Sequence, residues 1–435
     1  MIEGTQLASE PLALAGRYRI QPVEALILLV TVFFPVNYSL AFKLRISDIF
    51  ILMLVVVSLP WIRWSYSRLF FYILAFFALF SISMVYGVMT RGVVTPTNML
   101  FIYKYAIAFL LFWVLTSVPL SPRGVERIRK TAFLIYFLLI GYVFLYVIRY
   151  ASGVRGVSIR VSFPFSNVVD PTLSDAPLYS VVLSTCFIGY LFFPRESRTK
   201  TRVFVACVCL LTVAAIMFSG SRTGLLSIPL TLALYGARKV YRGFLTGRLR
   251  LRPRVILLIV VLAAAAAVIL IRSSSITDNT LAALMSRALS FNLGGDASVG
   301  ARVEKSLYVI ENIFQGPILI GIGMQSTFHT WFDNTYSAVL FTTGPLGLVL
   351  FLMIIVGFLR TVKVMARRSG TMRSYDALEY LFINYMICGI TSEYFLVTRG
   401  LVPFAVLAAV YYHTIKNSEA AESPASSPGK GLIRV

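Results

Sequence analysis

The sequence predicts an all-α fold, a polytopic membrane helix bundle of about twelve transmembrane helices, and three observations carry that prediction. Hydrophobic residues make up 58% of the chain and charged residues only 13%, with a mean hydropathy of +0.81, too little polar side chain to clothe a soluble protein. Apolar runs recur along the chain with short polar breaks, many close to the roughly 20 residues a helix needs to cross the hydrocarbon core. In lipid each such run must satisfy its own backbone hydrogen bonds, so each is a helix.

In order, the spans are expected at 24–42, 48–62, 69–88, 99–118, 131–150, 176–193, 203–220, 223–237, 255–271, 345–361, 378–396 and 400–415. Residues 1–23 form a cytoplasmic N-terminal segment. They carry Glu3 and Glu10 and no compact apolar core, so the first span, not a removable leader, is the expected insertion signal. Helices one to nine occupy 24–271, a large periplasmic loop 272–344 and helices ten to twelve 345–415. Residues 416–435 have the composition of a disordered cytoplasmic tail.

The net charge of +22 invites a nucleic-acid reading, but its distribution argues otherwise. With the N-terminus inside, most of the 40 Lys and Arg fall in loops then predicted cytoplasmic. The densest run, RKVYRGFLTGRLRLRPR from Arg238 to Arg254, has seven basic residues and no acid, and reads as a topology anchor against anionic headgroups. Cys186, Cys207, Cys209 and Cys388 all lie in apolar spans, which gives no disulfide framework.

Two outer loops break this uniformity, at about 151–175 and from Arg272 to Gly344. The second is far longer than an idle connection of about 4 to 6 residues. In it, Asp278 can cap a helix through Leu281, Leu284, Met285 and Leu289. After GGDASVG a second helix carries Val303, Leu307, Ile310 and Phe314. Both are expected to lie on the membrane domain with these apolar faces down. A glycine-punctuated turn, GPILIGIGM, and the segment STFHTWFDNTYSAVLFTTGPLG then lead into the tenth span.

Walker A, dinucleotide GxGxxG, HExxH and metal-binding DxD patterns are absent, so ATP-driven transport and nucleotide-sugar chemistry lose support. What remains is a set of cations on the outer side, where the positive-inside rule does not want them: Arg155, Arg160, Arg222, Arg287, Arg302, Lys305 and Arg399. Arg222, in the tight SGSRTG link between spans seven and eight, either binds an anion or snorkels to headgroups. Arg302 either does the same or pairs with Glu304 or Glu311 on a solvated face. A guanidinium fork matches phosphate oxygens in two-point contact and keeps its charge near the bilayer. Asp333 and His329, four residues apart, are the candidate bases, against a helix N-cap and a surface histidine as the alternatives. His413 reads as an interface residue, and Lys104 and Glu393 are the costly charges inside spans.

The SGSRTGLLSIPL turn, the Arg302 helix leading to GPILIGIGM, and DNTYSAVLFTTGPLGLVLFL resemble, in that order and spacing, the O-antigen ligase and Wzy-type polysaccharide polymerase superfamily. The resemblance covers the middle of the chain, from the seventh span into the tenth. It implies a GT-C-like glycosyltransferase of the bacterial inner membrane that takes glycans on undecaprenyl diphosphate at the periplasmic face, with no metal or other cofactor. Arg222 and Arg302 would match the family's diphosphate-contacting arginines. Arg155, Arg160, Arg287 and Arg399, with Lys104, Asn334 and Tyr336, are expected to line the substrate.

Expected partners are lipid-linked donor and acceptor, membrane lipids, a chain-length-regulating co-polymerase and a flippase, with no nucleic acid. The family's ligases usually carry His-Asn where this chain has Asp333 and Asn334, which favours a polymerase. The base stays open among Asp333, His329 and a late loss of the hydroxyl proton. A ligase acting on lipid A core or a protein is the near alternative. A transporter or flippase lined by Lys104 and Glu393 is the distant one, and should show broken helices or an inverted repeat.

Overall fold

The computed structural model describes residues 21–36, 45–61, 68–91, 96–152, 161, 163–164, 176–193, 199–219, 221–245, 297–313, 317, 319–323, 334–390 and 398–422. Among these residues there is no strand. The helices are α1 (Pro22–Phe33), α2 (Ile46–Ser58), α3 (Arg68–Arg91), α4 (Pro96–Ser117), α5 (Pro122–Ala151), α6 (Ala176–Leu191), α7 (Thr199–Phe218), α8 (Arg222–Leu245), α9 (Ala297–Ile313), α10 (Thr335–Arg368), α11 (Met372–Gly389) and α12 (Thr398–Glu422). Every predicted span except the ninth, 255–271, has a helix at its position. The ninth span and the loop helix predicted from Asp278 lie outside the described residues.

Local chemistry sets the helix ends that hydropathy misplaced. α1 stops at Phe33, short of residue 42: Phe34 keeps helical angles, but Pro35 has no amide hydrogen with which to continue the ladder. α2 gives way to one tight turn, Leu59–Trp61, around Pro60, which likewise has no amide hydrogen to donate. α5 instead starts early: Ser121 accepts the Gly124 amide at 3.0 Å, with Pro122 in the first position. Its polar first turns are helical before the apolar run begins.

The expectation of a dozen full-length crossings is therefore narrowed. Among the described residues, three helices are long and apolar enough to cross a membrane, at Phe71–Thr90, Pro122–Ala151 and Thr335–Arg368, and they stand beside several shorter apolar ones. The outward surface is apolar too, with Met89, Leu210 and Val56 among its most exposed side chains. This suits a helical membrane protein, whose solvent is lipid.

The interior is built on α12 and α6. Every residue from Arg399 to Tyr411 of α12 and from Leu178 to Tyr190 of α6 is buried. α12 packs against α4, α5, α6, α10 and α11. Its Phe404 stacks on Tyr385 of α11 at 4.1 Å between ring centres, and its Tyr411 hydroxyl donates to the Gly189 carbonyl of α6. Lipid offers no hydrophobic drive between helices, so such close packing and buried hydrogen bonds hold the bundle together.

The contacts sort into two ends. At one, Arg127 of α5 grips buried Glu24 of α1 through both carboxylate oxygens, at 2.5 and 2.8 Å. Arg238 of α8 pairs with Glu379 of α11, and Asn417 of α12 donates to the Leu120 carbonyl at 3.2 Å. His413 belongs here as well. Expected as an interface residue, it is buried within the protein, and its Nε2 lies 2.7 Å from the Leu115 carbonyl. The other end carries the motifs singled out in the sequence.

Candidate functional site

The SGSRTG turn is pinned to α6. Ser180 Oγ hydrogen-bonds Ser221 Oγ at 2.9 Å and accepts the Gly224 amide at 3.3 Å. A Cβ on Gly224 would come within 2.5 Å of the Ser180 carbonyl oxygen, so glycine is what lets α8 approach α6 this closely. Arg222 is the first residue of α8, and its backbone is thereby fixed. Below it a buried polar seam continues. Thr231 of α8 meets Asn384 Oδ1 of α11 at 3.3 Å, Asn384 Nδ2 donates to Ser184 of α6 at 3.4 Å, and Ser184 lies 3.7 Å from Cys388 Sγ.

Cys388 leads to the second motif. The next residue, Gly389, faces Thr335, the first residue of α10, and the Tyr336 hydroxyl donates to the Met386 carbonyl at 2.8 Å. Asn334, not Asp333, is the N-cap: its Oδ1 accepts the Tyr336 and Ser337 amides at 2.9 and 3.3 Å. Either residue type can cap; the extended backbone at Asn334 fixes which one does.

α10 starts at Thr335 rather than at 345, and it is broken. Gly344 has φ +69°, outside helical space. Residues 319–323 fill the break, with the Ile322 amide donating to the Phe341 carbonyl at 3.0 Å. The Ser83 hydroxyl of α3 donates to the Thr342 carbonyl. Carbonyls freed by a helix break in or near lipid need such partners. Gly321 and Gly323 also have positive φ, and side chains on Gly321, Gly323 or Gly344 would strike backbone atoms of neighbouring segments. The three form a glycine clasp between α3, the loop and α10.

α9 docks on the same short segment of α10, its Tyr308 ring 6.2 Å from Phe341. Its packing face is not the predicted stripe. Val309 and Ile313 are buried, whereas Val303, Leu307 and Ile310 are 53%, 51% and 52% exposed. The periodicity was there in the sequence, but it does not say which of two apolar faces meets the protein.

A narrow apolar cleft with a cavity volume of about 50 Å³ runs between α4, α10, α11 and α12. Phe109, Phe112, Phe358 and Phe404 line its length, and Thr335 at the motif end is the polar residue among the described ones that line it.

The expected site residues fall into three groups. Asn334, Tyr336 and Arg399 are described with their side chains. Arg399 is buried on α12, with its guanidinium carbon 4.8 Å from the Phe163 ring centre, while Phe163 packs at 4.8 Å on Tyr179, the neighbour of Ser180. Arg222, Arg302 and Lys104 are placed on α8, α9 and α4 by their backbones alone. Arg155, Arg160, Arg287, His329, Asp333 and Glu393 lie outside the described residues. Contacts thus chain the SGSRTG turn, Arg399, the start of α10 and the clasp around one end of the bundle.

Sequence reasoning passed over Ser83 and Asn384. Asn384 stands out only as a lone amide in an apolar span, and Ser83 gives no signal, because its partner is a backbone carbonyl exposed by a break. No protein-family model matches the chain, and no curated protein matches it.

Proposed function

We propose that this chain is a membrane glycosyltransferase that polymerises undecaprenyl-diphosphate-linked repeat units into a surface polysaccharide on the periplasmic face. The observation that carries the reading is the convergence of two motifs distant in sequence, the Arg222 turn and the Asn334–Thr335 start of α10, through α6 and α11. Arg222 and Arg302 hold the lipid diphosphate by two-point contacts. A hydroxyl of the incoming repeat attacks the anomeric carbon of the growing chain. That carbon's bond to the diphosphate breaks, and the diphosphate leaves with the bonding pair, the hydroxyl proton passing to Asp333 or His329. One displacement inverts the anomeric centre.

Arginines aimed at the departing diphosphate stabilise charge that grows in the transition state, a role worth roughly 3–4 kcal/mol per well-placed donor. Arg222→Ala is expected to abolish polymer at unchanged protein abundance; full-length polymer in that variant overturns the assignment. Ligation to lipid A core is separated by gene deletion. Loss of a ligase leaves long polymer on the carrier lipid, and loss of a polymerase leaves single repeats.

A transporter reading has one observation in its favour, the break at Gly344 with its loop-satisfied carbonyl, since discontinuous helices line many transport sites. Purified protein given a synthetic diphosphate-linked repeat without ATP decides between them. A new glycosidic bond supports the transferase, and translocation without bond formation supports the transporter.

A further inference from the structure

The exposed stripe of α9 is unlike the other exposed apolar residues, because it belongs to a helix outside the predicted spans. With about 100° between successive residues, Val303, Leu307 and Ile310 share one narrow arc. Val309 and Ile313, the buried contacts, lie about a quarter to a third of a turn to one side. Glu304 and Glu311, both exposed, lie about a quarter turn to the other. α9 therefore has a protein face, an apolar face and an acidic face in that order around its axis.

Its attachments fix its height. Tyr308 meets Phe341, three residues before the break at Gly344. The chain leaving Ile313 reaches Leu319, whose carbonyl oxygen lies against Gly344. Leu319 is 67% exposed, and directly below the break Leu346 and Val349 of α10 are exposed at 45% and 51%. Those two begin the outward face of a helix long and apolar enough to span a membrane. The α9 stripe and Leu319 thus continue that lipid-facing surface at its edge.

We infer that α9 lies in the bilayer interface at this end of the bundle, with Val303, Leu307 and Ile310 inserted among lipid acyl chains and Glu304 and Glu311 directed to the headgroups and water. The partner is the lipid surface itself. Interfacial helices bury their apolar face about 5–10 Å into the headgroup–acyl boundary. One consequence is positional: the backbone of Arg302, next to Val303, sits at headgroup depth, where a membrane-borne phosphate would be.

The test is a depth measurement on the full chain in vesicles of phosphatidylethanolamine and phosphatidylglycerol. Cys207 and Cys209, exposed and half-buried, are replaced by alanine, while buried Cys186 and Cys388 stay. Spin labels are then placed singly by V303C, L307C, I310C, E304C and E311C. All five positions are exposed, so the labels need not disturb the fold, and size-exclusion elution checks it. Collision with lipid-soluble oxygen relative to a water-soluble nickel chelate is expected to be several-fold higher at 303, 307 and 310 than at 304 and 311. Equal water access at all five positions overturns the inference. So does a stripe that neither reagent reaches, which means that protein covers it, whether from this chain or a second copy. The readout does not depend on glycan transfer, so its outcome stands apart from that of the activity assays.

Discussion

A methyl group added at Gly224 tests how α6 and α8 meet. Its Cβ would press on the Ser180 carbonyl at 2.5 Å, so Gly224→Ala is expected to destabilise by about 1–3 kcal/mol, as overpacking does. Gly236, on the same helix, has nothing within 4 Å of its Cβ position, and Gly236→Ala should stabilise by about 0.5–1 kcal/mol through backbone entropy alone. Thermal melts of the two variants in detergent should move in opposite directions. Asn334 gives a second test. Asn334→Ala is expected to cost about 1 kcal/mol, and Asn334→Asp to recover most of it. The sequence offered a cap here only as the alternative reading of Asp333, with Asn334 expected to line the substrate. Which residue caps was not legible, because Asp and Asn are interchangeable there until the backbone angles are known.

Between elements, the tie of α1 to α5 is a carboxylate that would be costly alone. Glu24 is 3% exposed and held by both nitrogens of the Arg127 fork. Arg127→Leu should cost about 1–3 kcal/mol, less than for a wholly buried pair because the arginine is partly exposed. Arg127→Lys should recover only part, since a lysine cannot make the two-point contact. Both follow from chemical denaturation midpoints. The sequence placed Glu24 and Arg127 at the same edge of the membrane but gave no means of pairing them. Helix positions follow from local hydropathy, and partners across the bundle follow from packing that hydropathy does not encode. The same limit explains α9: two apolar faces on one helix satisfy a single periodicity, and it is the burial of Val309 and Ile313 that reveals which is docked. In the clasp, Gly344→Ala would force an L side chain into a φ/ψ region that is essentially glycine's alone, at about 1–3 kcal/mol, besides striking Leu319. It should lower the melting temperature further than Ser83→Ala, which removes one hydrogen bond.

At the scale of the molecule, the burial of α6 and α11 makes a chemical prediction. Cys186 and Cys388 are buried and Cys207 is exposed, so a membrane-permeant maleimide should label Cys207 in the folded protein and reach Cys186 and Cys388 only after denaturation, as mass spectrometry of the peptides would show. That the chain is a helical bundle was readable from its apolar runs. That α12 sits at the centre was not, because a helix buried in protein and one bathed in lipid have the same hydropathy. The break in α10 carries a last consequence, for biogenesis. An insertion machinery that reads hydropathy can seat residues 346–368 as an ordinary span. Residues 335–343 cannot enter as part of the same rod, since Gly344 turns the chain out of the helix. They find their place only after Ser83 and the Gly321–Gly323 backbone are there to receive the carbonyls of Phe341 and Thr342. Maturation of the motif-bearing end therefore trails membrane integration, and a chain stalled between the two steps would be fully inserted with that end still unassembled.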